Sequence, residues 1–144
     1  MQAAFRVFPI RILFVAVAYL LQTGAYAHPV LKCQMLHGDR TLVSESVPTR
    51  EPYTYVPIDI RNRFRINAVV VGDNQQVEYV KIYAYYYRRG LPYLAHMAHY
   101  PSPTVQSGED GSQLTGLQRV YAPPYGFELQ YSCVLFERSA ESSK

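Results

Sequence analysis

Residues 61–89 read RNRFRINAVVV-GDNQQ-VEYVKIYAYYYRR, and their two-residue periodicity decides the fold. In the first half, Phe64, Ile66, Ala68 and Val70 alternate with Arg63, Arg65 and Asn67. In the second half, Val80, Ile82, Ala84 and Tyr86 alternate with Tyr79, Lys81, Tyr83, Tyr85 and Tyr87. Alternation of this kind is the pattern of half-buried β-strands. The stretch Gly72-Asp73-Asn74-Gln75-Gln76 is rich in turn formers, so the two halves make a hairpin. Pairing Val71 with Val77 places both apolar faces on one side. It sets Ile66 against Ile82 and Ala68 against Val80. A slip of one residue would expose the whole apolar set, so parity is strongly constrained.

This register has a consequence for the opposite face. It sets Arg65 against Tyr83, Arg63 against Tyr85 and Arg61 against Tyr87. Guanidinium groups beside phenol rings contribute about 0.5–1 kcal/mol each at exposed sites. The expected outer face is therefore a ribbon of Tyr and Arg, residue types favoured at recognition surfaces. The candidate partner-binding set is Arg61, Arg63, Arg65, Tyr83, Tyr85 and Tyr87.

Working outward, His28–Leu36 alternates with Leu31, Cys33 and Met35 on one side, and Thr41–Val47 forms a second short strand. Pro48, Pro52 and Pro57 break up the next segment, which reads as an edge or an extended connection with Tyr53 and Tyr55 on one side. After the hairpin, residues 93–100 form a strand that pairs back on the Tyr-rich one. Residues 101–115 (PSPTVQSGEDGSQLT) read as a long exposed loop. Residues 116–121 form a short strand, and Pro123-Pro124-Tyr125-Gly126 a turn. The final strand carries Phe127, Leu129, Tyr131, Cys133 and Leu135 on one face. The count is seven to eight strands without a helix. That predicts an all-β fold, a small antiparallel β-sandwich of Ig-like type.

Residues 1–27 lie outside this domain. Arg6 and Arg11 precede the apolar run Ile12–Leu21, and Ala25-Tyr26-Ala27 fits the small-x-small pattern of a signal-peptidase site. The run is shorter than the ~20 residues a bilayer requires, so the reading is a cleaved leader and no membrane span. The domain then occupies residues 28–138, with a flexible tail at 139–144. The expected location is the periplasm or the exterior. In an oxidising compartment Cys33 and Cys133 form a disulfide joining the first and last strands.

Cleavage removes two Arg and no acids from the 14 basic and 11 acidic residues, leaving 12 against 11. At a net charge of +1 only the Arg61–Arg65 cluster hints at the basic face that nucleic acid requires, and export argues against such a partner. Asp, Glu, Ser and His occur in no elbow, triad or paired-carboxylate setting, so the chain reads as non-catalytic and without a cofactor. The expected partner is an envelope or secreted protein, with an envelope glycan second because Trp, the commonest sugar-stacking ring, is absent. One other chemistry is open to the residues. Cleavage after Ala27 would give His28 a free amine beside its imidazole, a copper-binding pair. His96 and His99 are the further ligand candidates, although an odd spacing on a strand sends them to opposite faces.

Overall fold

The structure, a computed structural model, describes residues 27–139; the leader expected from the sequence, except its last residue, and the expected tail, except its first, lie outside the described residues. Eight strands and no helix are present among them: β1 (His28–His37), β2 (Arg40–Ser46), β3 (Ile58–Ile60), β4 (Phe64–Gly72), β5 (Val77–Arg88), β6 (Leu91–Pro101), β7 (Gln118–Ala122) and β8 (Phe127–Arg138). They form two antiparallel sheets of four strands, ordered β2-β1-β8-β7 and β3-β4-β5-β6. The sandwich follows from the alternation: each strand has one apolar face, and two such sheets hide them against each other.

The second sheet is a meander of neighbours in sequence. The first is built from both ends of the domain, because β8 returns to lie beside β1. Cys33 stands directly opposite Cys133, with Cα atoms 4.1 Å apart, and the two are disulfide-bonded. The bridge therefore lies within one sheet, across neighbouring strands. In immunoglobulin domains the corresponding bridge joins the two sheets. Leu31, Met35, Leu129, Tyr131 and Leu135 of the first sheet pack on Ile60, Phe64, Ile66, Val80 and Ile82 of the second. His96 and Tyr131 meet across this core with ring centroids 6.0 Å apart. His96 Nε2 and the Tyr131 hydroxyl are both buried without a partner.

The central hairpin pairs β4 with β5, but two residues out of the expected register. Ile66 faces Ala84, Ala68 faces Ile82 and Val70 faces Val80. Parity is retained, so the core face is the expected one. The shift arises at the turn. Asp73 Oδ1 accepts hydrogen bonds from the backbone N–H groups of Gln75 (2.9 Å) and Gln76 (3.0 Å), closing a four-residue turn. Gly72 then pairs with Val77, and a bulge sets Val71 against Tyr79. Gly72 has φ +148°, and a Cβ there would lie 2.2 Å from the Gln76 carbonyl oxygen, so glycine is required.

Two connections are more structured than expected. In the segment 47–57, Thr49 N–H donates to the Val70 carbonyl (2.9 Å) and Gly72 N–H to that of Thr49 (3.1 Å). The segment thus pairs with the edge of β4, and its continuation crosses towards the outer face, where Pro52, Tyr53 and Tyr55 lie near Asn67 and the buried Val69. The run Val69-Val70-Val71 is apolar without alternation because it is covered on both faces. Residues 102–117 are not a free loop. Gln106 exchanges backbone bonds with Leu135 and Glu137, and Leu114 N–H donates to the Cys133 carbonyl at 2.8 Å. The buried Thr115 hydroxyl accepts from Cys133 N–H at 2.9 Å.

Replacing Cys33 and Cys133 by Ala opens a link 100 residues apart in sequence. Urea unfolding should show a loss of about 2–4 kcal/mol, below the ceiling of ~4.7 kcal/mol that the chain-entropy model sets for such a loop. A loss well below 1 kcal/mol would mean that β1–β8 pairing needs no covalent support.

Candidate functional site

Parity along β5 sends Tyr79, Lys81, Tyr83, Tyr85 and Tyr87 to the outer face of the second sheet. Their neighbours on β4 follow from the observed register: Tyr85 lies beside Arg65, Tyr83 beside Asn67 and Lys81 beside Val69. Arg65 is therefore not opposite Tyr83, nor is Arg63 opposite Tyr85. Tyr87 takes the place beside Arg63, donating its backbone N–H to the Arg63 carbonyl at 2.8 Å. Arg61 leaves the sheet altogether, with φ +52° in the β3–β4 turn.

The three arginines separate. Arg61 pairs with Asp39 at 2.5 Å. The Arg63 guanidinium lies 4.2 Å over the Phe127 ring, reaching across to the other sheet. Arg65 binds Asp59 through Nε (3.1 Å) and Nη2 (3.3 Å) and stacks on Tyr87 at 5.4 Å. The Tyr87 hydroxyl donates to Asp59 Oδ1 at 2.9 Å. Each arginine thus has an acid or ring of its own, and Tyr87 belongs to the Arg65–Asp59 cluster.

What remains is a cleft of tyrosines. Tyr79, Tyr83 and Tyr85 line one side, and Pro52, Tyr53 and Tyr55 from the crossing segment stand on the other. Asn67, Val69 and Lys81 complete a lining that encloses about 370 Å³. None of Tyr83, Tyr85 and Tyr87 is buried; all are half-exposed. The Tyr83 and Tyr85 rings are near parallel, 6.5 Å between centroids at 23°. Lys81 Nζ rests 5.0 Å above the Tyr79 ring, and His99 from β6 meets that ring edge-on at 5.5 Å. Burial, and then the neighbouring phenols Tyr55 and Tyr83, raise the Tyr85 hydroxyl above its ordinary value, so it stays a neutral donor.

Asn67 is the unusual member. It is only 3 % exposed, and its Oδ1 has no hydrogen-bond partner. Leaving a buried amide unsatisfied costs about 1–3 kcal/mol. The side chain is held there by parity, which aims it away from the core and into the cleft between β5 and the crossing segment.

Tyr53, Tyr55, Asn67, Tyr79 and Lys81 were outside the candidate set that the sequence suggested. Parity alone links Asn67, Tyr79 and Lys81 to Tyr83 and Tyr85. Nothing in the local sequence brings Tyr53 and Tyr55 over them, because that contact depends on the path of the irregular connection 47–57 between β2 and β3. The histidines named as metal candidates are not gathered. His28 starts β1 in the first sheet, His96 faces the core, and His99 lies on the outer face. Among the described residues no group of three or more His, Cys, Asp or Glu side chains could hold a metal ion. None of the helices that a membrane crossing would need is present there either, although strands can also cross.

Comparison with family models, with curated proteins and with solved structures finds no match to this chain.

Two outcomes follow from this geometry. Asn67→Leu removes an unsatisfied amide at little change in volume, so thermal and urea unfolding should show unchanged or raised stability, by up to about 1–2 kcal/mol. A comparable loss would mean that the amide is bonded within the fold. Second, the hydrogen bonds from Arg65, then that from Tyr87, hold the Asp59 carboxyl below the ordinary aspartate value against the opposing effect of burial. Its contribution is complete above the unfolded-state pKa and is lost as pH falls through the depressed folded value. Carboxyl-detected NMR should place the Asp59 midpoint below that of a free aspartate, and Arg65→Gln should raise it.

Proposed function

We propose that this is an exported, non-catalytic binding protein that takes its partner in the tyrosine cleft on the outer face of the second sheet. The observation that carries the reading is the convergence of five tyrosines and one unpartnered buried amide on a single concavity. Tyrosine supplies large contact area at low conformational cost, with a hydroxyl for hydrogen bonding at the rim. The amide adds a directional polar contact inside an apolar wall, the usual composition of a selective site. The lining holds no Asp, Glu, His, Ser or Cys that could act as a base or nucleophile at neutral pH, which favours binding over catalysis.

Export rests on the leader pattern in residues 1–27. The Cys33–Cys133 bridge is compatible with an oxidising compartment. The reading places the protein in the periplasm or outside the cell, with an envelope or secreted protein as the partner class and an envelope glycan as the other. The Arg61, Arg63 and Arg65 side chains lie at one end of the β4–β5 hairpin and serve the fold more than the partner.

Capture of the partner from an envelope extract by the tagged protein tests the reading. Tyr83→Ala and Tyr85→Ala should each weaken capture by about 30-fold, corresponding to a loss of ~2 kcal/mol at a buried aromatic anchor. Tyr121→Ala, at an exposed position in the first sheet, should leave capture intact. Equal capture by the two cleft variants and the original protein would rule the cleft out.

A further inference from the structure

We propose that the cleft accepts an extended, proline-containing peptide segment in the polyproline II conformation, with an acidic residue beside Lys81; this rests on the reading that the cleft is the binding site. The backbone around the cleft narrows the choice of ligand form. Its floor is the face of β4 and β5; β5 is paired with β4 and β6, and the outer edge of β4 is taken by β3 at Phe64–Ile66 and by Thr49 at Val70–Gly72. A peptide there cannot join the sheet as an added strand. It must be held by side chains.

A polyproline II segment suits such a surface. It has no internal hydrogen bonds, so its carbonyls are free to accept from side-chain donors. The cleft offers the Asn67 amide, which presents either its donor or its acceptor end by rotation about its last torsion, together with phenol hydroxyls and Lys81. The aromatic lining matches the kind of groove that proline-rich segments occupy, with Tyr79, Tyr83 and Tyr85 on one side and Pro52, Tyr53 and Tyr55 on the other. The segment is also pre-ordered, which reduces the entropy lost on binding.

Charge sets the flanking residue. Lys81 is the only charged side chain in the lining, and no acid accompanies it. A carboxylate on the ligand completes that pair. A neutral pyranose ring would stack on tyrosine equally well, but it brings no carboxylate to meet Lys81.

The test is a titration of the full-length, disulfide-bonded protein, followed by two-dimensional NMR, with the synthetic peptide acetyl-(Pro)5-Glu-amide. A Gly-Ser peptide of equal length ending in Glu, and a cello- or chito-oligosaccharide, serve as comparison probes. The expected result is movement of residues 52–55 and 79–85 and of the Asn67 side-chain amide with the proline peptide alone. Asn67→Leu and Tyr85→Ala should each weaken that binding roughly tenfold or more, and replacing the peptide's Glu by Gln should weaken it severalfold. Absence of movement with the proline peptide at millimolar concentration overturns the inference. If an oligosaccharide or the Gly-Ser peptide moves the same residues instead, the ligand class is wrong and the cleft stands. If no probe moves them and partner capture also persists in the cleft variants, the cleft itself is not the site.

Discussion

Strands β1 and β8 come from opposite ends of the domain, and their pairing is the constraint on which the remaining architecture depends. Without it, β1–β2 and β7–β8 are two separate hairpins, each too small to be stable alone. Joined, they form one sheet with a continuous apolar face of Leu31, Met35, Leu129, Tyr131 and Leu135, and the β3–β6 meander has something to cover. The entropy of bringing such distant segments together grows only logarithmically with their separation, and the disulfide removes part of that cost from the folding step. The bridge sits in the middle of the β1–β8 ladder, where Cys33 and Cys133 are direct cross-strand neighbours. The segment from Gln106 to Thr115 then lies along β8 beyond the end of β7 and satisfies backbone groups of Cys133, Leu135 and Glu137.

The second organising contact is the parallel bridge between Thr49 and Val71. It pins the proline-broken connection to the edge of β4, from which Pro52, Tyr53 and Tyr55 reach the outer face. One consequence is energetic: Val69 and Val71 are removed from water on a face that would otherwise be solvated. The other is geometric, because the same crossing raises Pro52, Tyr53 and Tyr55 into a wall opposite the β5 tyrosines. A flat aromatic ribbon becomes a cleft, and Asn67, which an exposed sheet face would leave hydrated, becomes a buried amide without a partner. Cleft and core cover thus share one origin, and the unsatisfied amide is the cost that goes with them.

The reading from sequence succeeded where one side chain's environment follows from its neighbours two residues away. Phe64, Ile66, Val70, Val80 and Ile82 are core because they alternate, and Tyr83 and Tyr85 face outward for the same reason. It failed on register, by two residues, because that depends on how many residues the turn and its bulge absorb. The Asp73 turn and the Gly72–Val71 bulge leave parity intact while changing every cross-strand neighbour. The arginines were misplaced with it. Arg65 turned to Asp59, an acid six positions earlier that only the β3–β4 pairing makes adjacent, and Arg63 turned to Phe127 in the other sheet.

Sequence by itself determined the all-β class, the strand faces, the pairing of the only two cysteines and the tyrosine-rich character of one outer surface. Those properties are local, periodic or, for a lone cysteine pair, without alternative. Tertiary structure alone decided that the tyrosines line a concavity, that Tyr53, Tyr55 and Asn67 belong to it, and that the arginines do not. Those outcomes depend on where a non-repetitive segment crosses a sheet and on which charge each guanidinium reaches first, and neither has a periodicity to read.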